Sequence, residues 1–400
     1  MISDMSLLDE YIKKGIDIKV LENELVTLIK NYNKTRNTYL FVYNAAINKR
    51  VREVALQQED YYIIADLLRE QTISNLDFYL ETPGGSGEAA EEIVRCLRKK
   101  CDNISFIVAG EAKSAGTLIV LSGDEILMTE TGSLGPIDAQ ISMGRSQVSA
   151  MDYKEWIEEL QKEAKKNNYL NPVDATIVAQ ISPGELQGVY QSLKFAEDLV
   201  KEWLPKYKFK NWDVSESKQQ KVTAEMKVKR AEEIVAKLTD RNQWHSHGRS
   251  IKIDDLEGLL KIIKVDDDPT LKDLVYRIQM ICKLICDSST VYKIFATADY
   301  RIFKHAAQVP SGILPPKGKL DVAEFEIICP KCGKQHMIYL NLCNNVKVDQ
   351  DFQTKGSKPY PKDNRFACDC GFNIDLAGVK NQLEMQIGKK IVVKEGCNEK

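Results

Sequence analysis

Strand-like and helix-like segments alternate between residues 39 and 128, and this alternation constrains the fold more than any other feature. The strand-like runs are residues 39–43, 76–80, 104–109 and 125–128. Helical periodicity covers residues 61–70, 88–100 and a stretch that starts at residue 114. Strands and helices that alternate at this spacing build a parallel sheet from strand–helix–strand units. The sequence therefore predicts an α/β protein.

The chain has 400 residues, more than one hydrophobic core usually organises, so two or three domains are expected. The apolar spacing and the Pro- and Gly-rich stretch after residue 309 divide the chain. The predicted parts are an N-terminal helical arm (1–34), a main α/β domain (35–265), a helical extension (266–309), a cysteine-rich module with its linker (310–387) and a tail (388–400).

Charge and hydropathy exclude some classes of function. The 56 Lys and Arg residues nearly balance the 58 Asp and Glu residues, which argues against a nucleic acid as the main partner. The longest apolar runs, residues 39–43 and 61–65, fall far short of the roughly 20 residues that span a bilayer. The start of the chain carries no basic stretch leading into an apolar one. We therefore expect a cytoplasmic protein.

A glycine loop, residues 84–87, follows the second strand and opens the next helix. Glycine allows a turn that directs backbone N–H groups toward an open space, where they can hold an anion. The loop lacks the Gly-Lys-Ser/Thr of a phosphate-binding P-loop. A phosphate, the oxyanion of an acyl-transfer reaction and a plain tight turn all remain open interpretations at this point.

The next strand–helix junction places Ser114 between small residues. A serine here is by default a helix N-cap. However, neighbouring parallel strands bring their following loops to the same edge of the sheet, where ligands bind. A nucleophilic hydroxyl and the N–H groups of the glycine loop are therefore predicted to meet.

Three motifs in this order resemble those of Clp/crotonase-fold serine peptidases, in particular the serine dehydrogenase proteinase family and its signal peptide peptidase A relatives. The motifs are Thr82-Pro83-Gly84-Gly85-Ser86-Gly87, Ala112-Lys113-Ser114-Ala115-Gly116-Thr117 and Gly132-Ser133-Leu134-Gly135-Pro136-Ile137-Asp138. The resemblance covers residues 35–265 and implies a ββα spiral core. It also implies Ser114 as nucleophile, and Gly84, Gly85 and the N–H of Ala115 as oxyanion-hole donors.

The general base that activates Ser114 is less defined by the sequence. Clp-type proteases carry a histidine after the next strand, but Asp138 lies in that stretch here. The signal peptide peptidase A relatives use a lysine, and Lys154 is similarly placed, at the start of a charged helix, so the resemblance implies Lys154 as the general base; Lys113 ranks second. A histidine has a suitable pKa near neutral pH, so His247 oriented by Asp138 is the rival assignment.

Two cysteine pairs follow the linker. Cys329 and Cys332 form one short knuckle, and Cys368 and Cys370 form the other. Four thiolates at such spacing close a tetrahedral site, so we predict structural Zn²⁺ in a small β zinc ribbon. His336 is a competing ligand. A disulfide pairing is the alternative, although it fits poorly with a reducing compartment.

These observations predict a serine endopeptidase that hydrolyses peptide bonds in a peptide or protein substrate. The resemblance further implies a homo-oligomer. One alternative is a non-catalytic oligomeric adaptor of the same fold that binds a protein partner through its zinc ribbon. A crotonase-like acyl-thioester enzyme is another, since it shares the oxyanion hole but needs no nucleophilic serine.

Overall fold

The computed structural model divides the chain into two compact units, Met1–Ala306 and Ala307–Lys400. It describes residues 6–14, 17–137, 140–143, 146–214, 220–244, 246, 248–306, 322–342 and 345–380. The predicted linker after residue 309 and the predicted tail lie outside these residues.

The first unit contains most of the secondary structure. Its strands are β1 (Tyr39–Ala45), β2 (Ile73–Glu81), β3 (Cys101–Val108), β4 (Glu111–Ala112), β5 (Glu125–Met128), β6 (Ser133–Leu134), β7 (Gln140–Met143), β8 (Ser146–Ser149), β9 (Ile263–Lys264), β10 (Val291–Ala296) and β11 (Arg301–His305). Its helices are α1 (Leu7–Lys14), α2 (Ile18–Arg36), α3 (Gln58–Leu67), α4 (Gly87–Lys100), α5 (Ala115–Leu121), α6 (Ala150–Asn167), α7 (Pro172–Val178), α8 (Pro183–Trp203), α9 (Ala224–Leu238), α10 (Arg241–Trp244), α11 (Ile253–Leu256) and α12 (Pro269–Asp287). Short 3-10 turns at Arg52–Val54 and Val265–Asp267 and a π-helical turn at Leu204–Lys208 complete it.

A seven-stranded sheet forms the centre of this unit, in the order β11-β10-β1-β2-β3-β5-β9. Strands β1, β2, β3, β5 and β9 run parallel, whereas β10 pairs antiparallel with β1, and β11 pairs antiparallel with β10. The predicted α/β class is confirmed.

Aromatic residues fix the register of the parallel strands. Phe41, Phe78 and Phe106 lie opposite one another on β1, β2 and β3, with ring centroids 5.0 Å and 5.7 Å apart. The strands carry apolar residues on both faces because helices cover both sides of the sheet.

One face of the sheet is covered by α3, α4 and α5, with parts of α8 and α9 packed beyond them. Helix α4 begins where the Ser86 hydroxyl accepts a hydrogen bond from the Ala89 N–H, at 3.0 Å. Each of α3, α4 and α5 follows one of the parallel strands. The loops between them therefore lie at the carboxyl edge of the sheet.

The opposite face is covered by α2 and α12, which pack on β1 and β10 in a second apolar cluster. Asp17 caps the start of α2, and Asn37 ends it in a left-handed conformation. Helix α2, from the predicted arm, and helix α12, from the predicted extension, thus form one layer on this face of the sheet. The domain limits at residues 34 and 265 themselves stay predictions.

The second unit places Cys329, Cys332, Cys368 and Cys370 in the turns between short strands. It contains β12 (Val322–Ile328), β13 (Gln335–Asn341), β14 (Lys358–Pro359), β15 (Arg365–Ala367), β16 (Asn373–Asp375) and helix α13 (Val346–Thr354). Strands β12, β13 and β14 form one sheet, and β15 pairs with β16. A small core that includes Ile338, Tyr360 and Phe366 supports them.

Of the helices in the described ranges, none combines the length and the apolar character needed to cross a bilayer.

Candidate active site

The glycine loop after β2 and the serine loop after β3 meet at the carboxyl edge of the sheet. The Thr82 N–H donates to the Glu111 carbonyl at 2.7 Å, and the Lys113 N–H donates to the Thr82 carbonyl at 3.1 Å. A Cβ atom built on Gly84 would lie 2.7 Å from the Ser114 Cβ. The two loops are therefore in direct contact, and only glycine fits at position 84, where φ is +94°.

Ser114 stands on a strained turn. Its backbone has φ 49° and ψ −116°, a conformation that non-glycine residues rarely adopt. The residue precedes α5, but its side chain makes no capping hydrogen bond. Ser114 thus occupies the N-cap position, but its hydroxyl does not cap the helix. Strain of this kind concentrates at functional sites, and here it leaves a half-buried hydroxyl uncommitted to the helix.

Two backbone amides beside this serine have no acceptor among the described residues. The amide of Ala115 opens α5, where no preceding turn can accept its proton. The amide of Gly85 lies in the exposed part of the glycine loop. The amide of Gly84 differs, because it donates to the Thr82 hydroxyl at 3.2 Å. Of the three predicted oxyanion donors, Gly85 and Ala115 are thus the ones available to a ligand.

The buried side chain of Thr117 joins the serine helix to the turn at residues 132–136. Its hydroxyl accepts from the Gly135 N–H at 2.9 Å and lies 2.8 Å from the Ala112 carbonyl, to which it can donate. Thr117 has no role in the predicted site, although it is the last residue of the serine motif. A buried hydroxyl in a motif of small residues was the signal available.

The buried side chain of Lys113 ties a distant segment to the serine loop. Its ammonium donates to the carbonyls of Leu134 and Arg249, both at 3.1 Å, and contacts the Ser250 hydroxyl at 2.9 Å. Burial lowers the pKa of this lysine. Leu134 and Ile251 also exchange two backbone hydrogen bonds of 2.9 Å. The residues that follow His247 therefore pack beside the loop that carries Ser114.

Lys154 lies on α6, near its start, as the sequence predicts. Its side chain is 34% exposed, and its ammonium is 3.9 Å from the Glu158 carboxylate. It also lies 6.0 Å from the centre of the Tyr190 ring. These contacts do not provide the burial that a lysine base requires. Asp138 and His247, the other predicted members of the site, lie outside the described residues.

Glu81 ends β2, immediately before the glycine loop. Burial raises the pKa of its carboxyl to about 7, although the Tyr79 hydroxyl opposes the shift by donating to it at 3.0 Å. A Cβ atom on Gly110 would lie 2.5 Å from the carboxyl carbon. A titratable group with a perturbed pKa thus adjoins the site. Neither periodicity nor motif spacing marks the Glu81 carboxyl as part of a site.

A recess of about 1330 Å³ lies at the opposite edge of the sheet. Its lining includes Asn75, Asn103, Asp124, Tyr207 and Lys208. The amino-terminal ends of the parallel strands contribute to this lining, so the recess is separate from Ser114 and its loops.

In the second unit, the four predicted cysteine ligands come together. The sulfur atoms of Cys329 and Cys370 lie 3.7 Å apart, and those of Cys332 and Cys368 lie 3.6 Å apart. All four sulfurs lie within 4.8 Å of one another. Tetrahedral zinc with Zn–S bonds of about 2.3 Å separates its sulfurs by about 3.8 Å. The four cysteines can therefore bind one metal ion. The Nε2 atom of His336 lies 3.2 Å from the Cys368 sulfur.

A serine on a strained strand-to-helix turn, beside unpaired backbone amides, is the arrangement that acyl-transfer hydrolases use. A match to a family of known proteins agrees with this class. A family model described as ClpP-like SDH-type serine proteinase matches residues 69–211. This match confirms the resemblance predicted from the three motifs. It includes Ser114, the glycine loop and Lys154, but not His247.

Two curated relatives are uncharacterized proteins of Methanocaldococcus jannaschii. MJ1495 is 38% identical over 66 residues, and MJ0137 is 41% identical over 66 residues. Each match covers 16% of this chain and 23% of the relative. The chain thus spans about a quarter of the length of these relatives.

Two solved structures of the 1510-N membrane-bound stomatin-specific protease are also similar. The first is a serine-to-alanine mutant, with 13% identity, a TM-score of 0.30, and coverage of 56% of this chain and 79% of that chain. The second is a lysine-to-alanine mutant in complex with a substrate peptide. It has 17% identity, a TM-score of 0.23, and coverage of 35% of this chain and 61% of that chain.

Proposed function

We propose that this protein is a serine peptidase. In this mechanism the Ser114 hydroxyl attacks a peptide carbonyl, and the N–H groups of Gly85 and Ala115 stabilise the tetrahedral oxyanion. The observation that carries the proposal is the contact between the two loops, which sets an uncapped serine beside two amides without acceptors. Preorganised donors of this kind contribute about 10²–10³-fold each to acyl transfer.

Labelling with a fluorophosphonate tests the nucleophile, because an activated serine attacks the phosphorus of this reagent, displaces fluoride and becomes phosphonylated. We expect the wild-type protein to be labelled at Ser114 and the Ser114→Ala variant to remain unlabelled. Ser122→Ala is the matched control, since that serine lies just after α5 and its hydroxyl donates to the Ile119 carbonyl. A wild-type protein that assembles but resists the reagent would favour the adaptor alternative.

We further propose His247 as the general base, with Asp138 as its orienting carboxylate and Lys154 as the competing base. Support for the histidine comes from its neighbours, since Arg249, Ser250 and Ile251 bond to Lys113 and Leu134 beside the serine loop. Lys154 instead has a carboxylate neighbour and considerable exposure. A general base contributes about 10²–10⁴-fold.

Substitutions distinguish the two candidate bases, His247 and Lys154. If His247 is the base, His247→Gln lowers the labelling rate constant by about 10²-fold or more. His245→Gln, which changes the neighbouring histidine, and Lys154→Met should then react nearly as the wild type does. Loss of labelling in Lys154→Met with normal labelling in His247→Gln would reverse the assignment.

The four cysteines are proposed to hold structural Zn²⁺. Three observations support zinc: an all-sulfur donor set, separations near those of a tetrahedral thiolate site, and sheets too small for a large core of their own. Assembly into a homo-oligomer, a protein partner at this module and a cytoplasmic location stay predictions.

A further inference from the structure

A buried ion pair lies beneath the glycine loop. The Lys293 ammonium, on β10, is 2.6 Å from one carboxylate oxygen of Asp60 and 2.9 Å from the other. Their side chains are 2% and 4% exposed. A buried pair of this kind is weak support for stability, since apolar replacements are often as stable. Its position next to the glycine loop suggests a role other than stability.

Both partners of this pair bond to the backbone on either side of Leu56. The Lys293 ammonium donates to the Ala55 carbonyl at 2.8 Å. The Asp60 carboxylate accepts from the Gln57 N–H at 2.8 Å. The Tyr43 hydroxyl donates to the same carboxylate at 3.1 Å. Leu56 is therefore fixed from both sides by groups that water does not reach.

Leu56 in turn fixes the glycine loop on either side of Gly85. Its N–H donates to the Gly84 carbonyl at 2.7 Å, and its carbonyl accepts from the Ser86 N–H at 3.0 Å. A Cβ atom on Gly85 would lie 2.5 Å from the Leu56 nitrogen, so the two backbones touch. This pairing uses the groups flanking the Gly85 amide and leaves that amide without an acceptor in the described chain.

We infer that Asp60 and Lys293 are positioning residues that hold the Gly85 N–H in place for the oxyanion. The inference rests on the proposed peptidase function. It extends that function to two residues that lie on α3 and β10, outside the loops that carry Gly85 and Ser114. Displacement of a reacting group by about 1 Å can cost about 100-fold in rate, so the pair is expected to affect catalysis more than folding.

The test compares two ion pairs of the same unit, one buried and one largely buried. The double variant Asp60→Asn with Lys293→Met removes both charges of the pair under Leu56. The control, Asp124→Asn with Arg98→Met, removes the 2.7 Å pair at the opposite edge of the sheet, where the side chains are 9% and 11% exposed. Each is assayed by its second-order rate constant for fluorophosphonate labelling. Hydrogen exchange at the Leu56 and Ser86 amides is measured alongside.

We expect the Asp60/Lys293 variant to be labelled at least about tenfold more slowly than the Asp124/Arg98 control, with faster exchange at Leu56 and Ser86. Tyr43→Phe, which removes the hydroxyl that donates to Asp60 and leaves both charges paired, serves if the double variant does not fold. Its labelling rate should fall below that of wild type, and a rate equal to wild type would count against the positioning role.

Two negative outcomes are distinct. If wild type reacts and both double variants are labelled equally fast, the positioning role is refuted while the peptidase stands. If wild type itself does not react, the peptidase proposal is refuted, and an oxyanion role for this pair with it.

Discussion

The contact between Gly84 and Ser114 provides a direct test of the site. In Gly84→Ala, the new methyl group would lie 2.7 Å from both the Ser114 Cβ and the Lys113 carbonyl oxygen. Ordinary contact begins at 3.4 Å, so the two loops must separate by about 0.7 Å. Neither obstacle is the end of a flexible side chain, so the backbone itself has to move.

The cost has two parts. A φ of +94° disfavours alanine, by roughly 1–2 kcal/mol. Overpacking adds about 1–3 kcal/mol. Because a misplacement of about 1 Å can cost about 100-fold, a separation of 0.7 Å should slow fluorophosphonate labelling by about tenfold to hundredfold.

The assay combines labelling kinetics with urea unfolding. Gly188→Ala is the matched control: this glycine lies within α8 and has open space at its Cβ position. The control should gain about 0.5–1 kcal/mol of stability and keep its labelling rate. A folded Gly84→Ala variant that reacts at the wild-type rate would refute the geometry proposed for the oxyanion site.

Three further predictions follow from contacts near the site and in the second unit. Folding raises the pKa of Glu81 from 4.5 to about 7, so the folded state binds its proton more tightly. Stability therefore falls by up to about 3 kcal/mol as pH rises through that window. Urea unfolding at pH 5 and pH 8 should show a smaller fall for Glu81→Gln; an equal fall in both proteins would exclude this carboxyl as the cause. Thr117→Val leaves the Gly135 N–H without its acceptor and should cost about 2 kcal/mol in urea unfolding, whereas Thr117→Ser keeps the hydroxyl and should cost less; equal losses would argue against the hydrogen bond. Metal analysis should find one zinc per chain, which Cys368→Ser loses and His336→Ala retains; loss of zinc in the histidine variant would make His336 a ligand.

The parallel part of the sheet was predictable because its signals are local. Strand β5 has the predicted limits, residues 125–128, and α4 begins one residue before its predicted start. The convergence of the two loops also followed from local order, since parallel neighbours share a carboxyl edge. In the same way, the short spacing within each cysteine pair was sufficient to predict the sulfur cluster.

The antiparallel strands were not predictable from periodicity. All six residues of β10 are buried, so the strand shows no alternation of apolar and polar positions. Its pairing with β1 joins segments far apart in the chain. The ion pair of Lys293 was unpredictable for the same reason. A lysine in an apolar run does not indicate its partner, and here the partner is an aspartate that lies 233 positions earlier in the chain.

Strand β1 pairs with β2, which follows it closely in the chain. Its other edge pairs with β10, which is synthesised much later. A ribosome that adds roughly 5–20 residues per second needs on the order of 10–50 s to make the segment between them. During that interval β1 presents an open edge, and α2 alone covers the adjoining apolar face because α12 is also still unmade. The nascent protein is thus most exposed to aggregation until the residues that complete the sheet leave the ribosome.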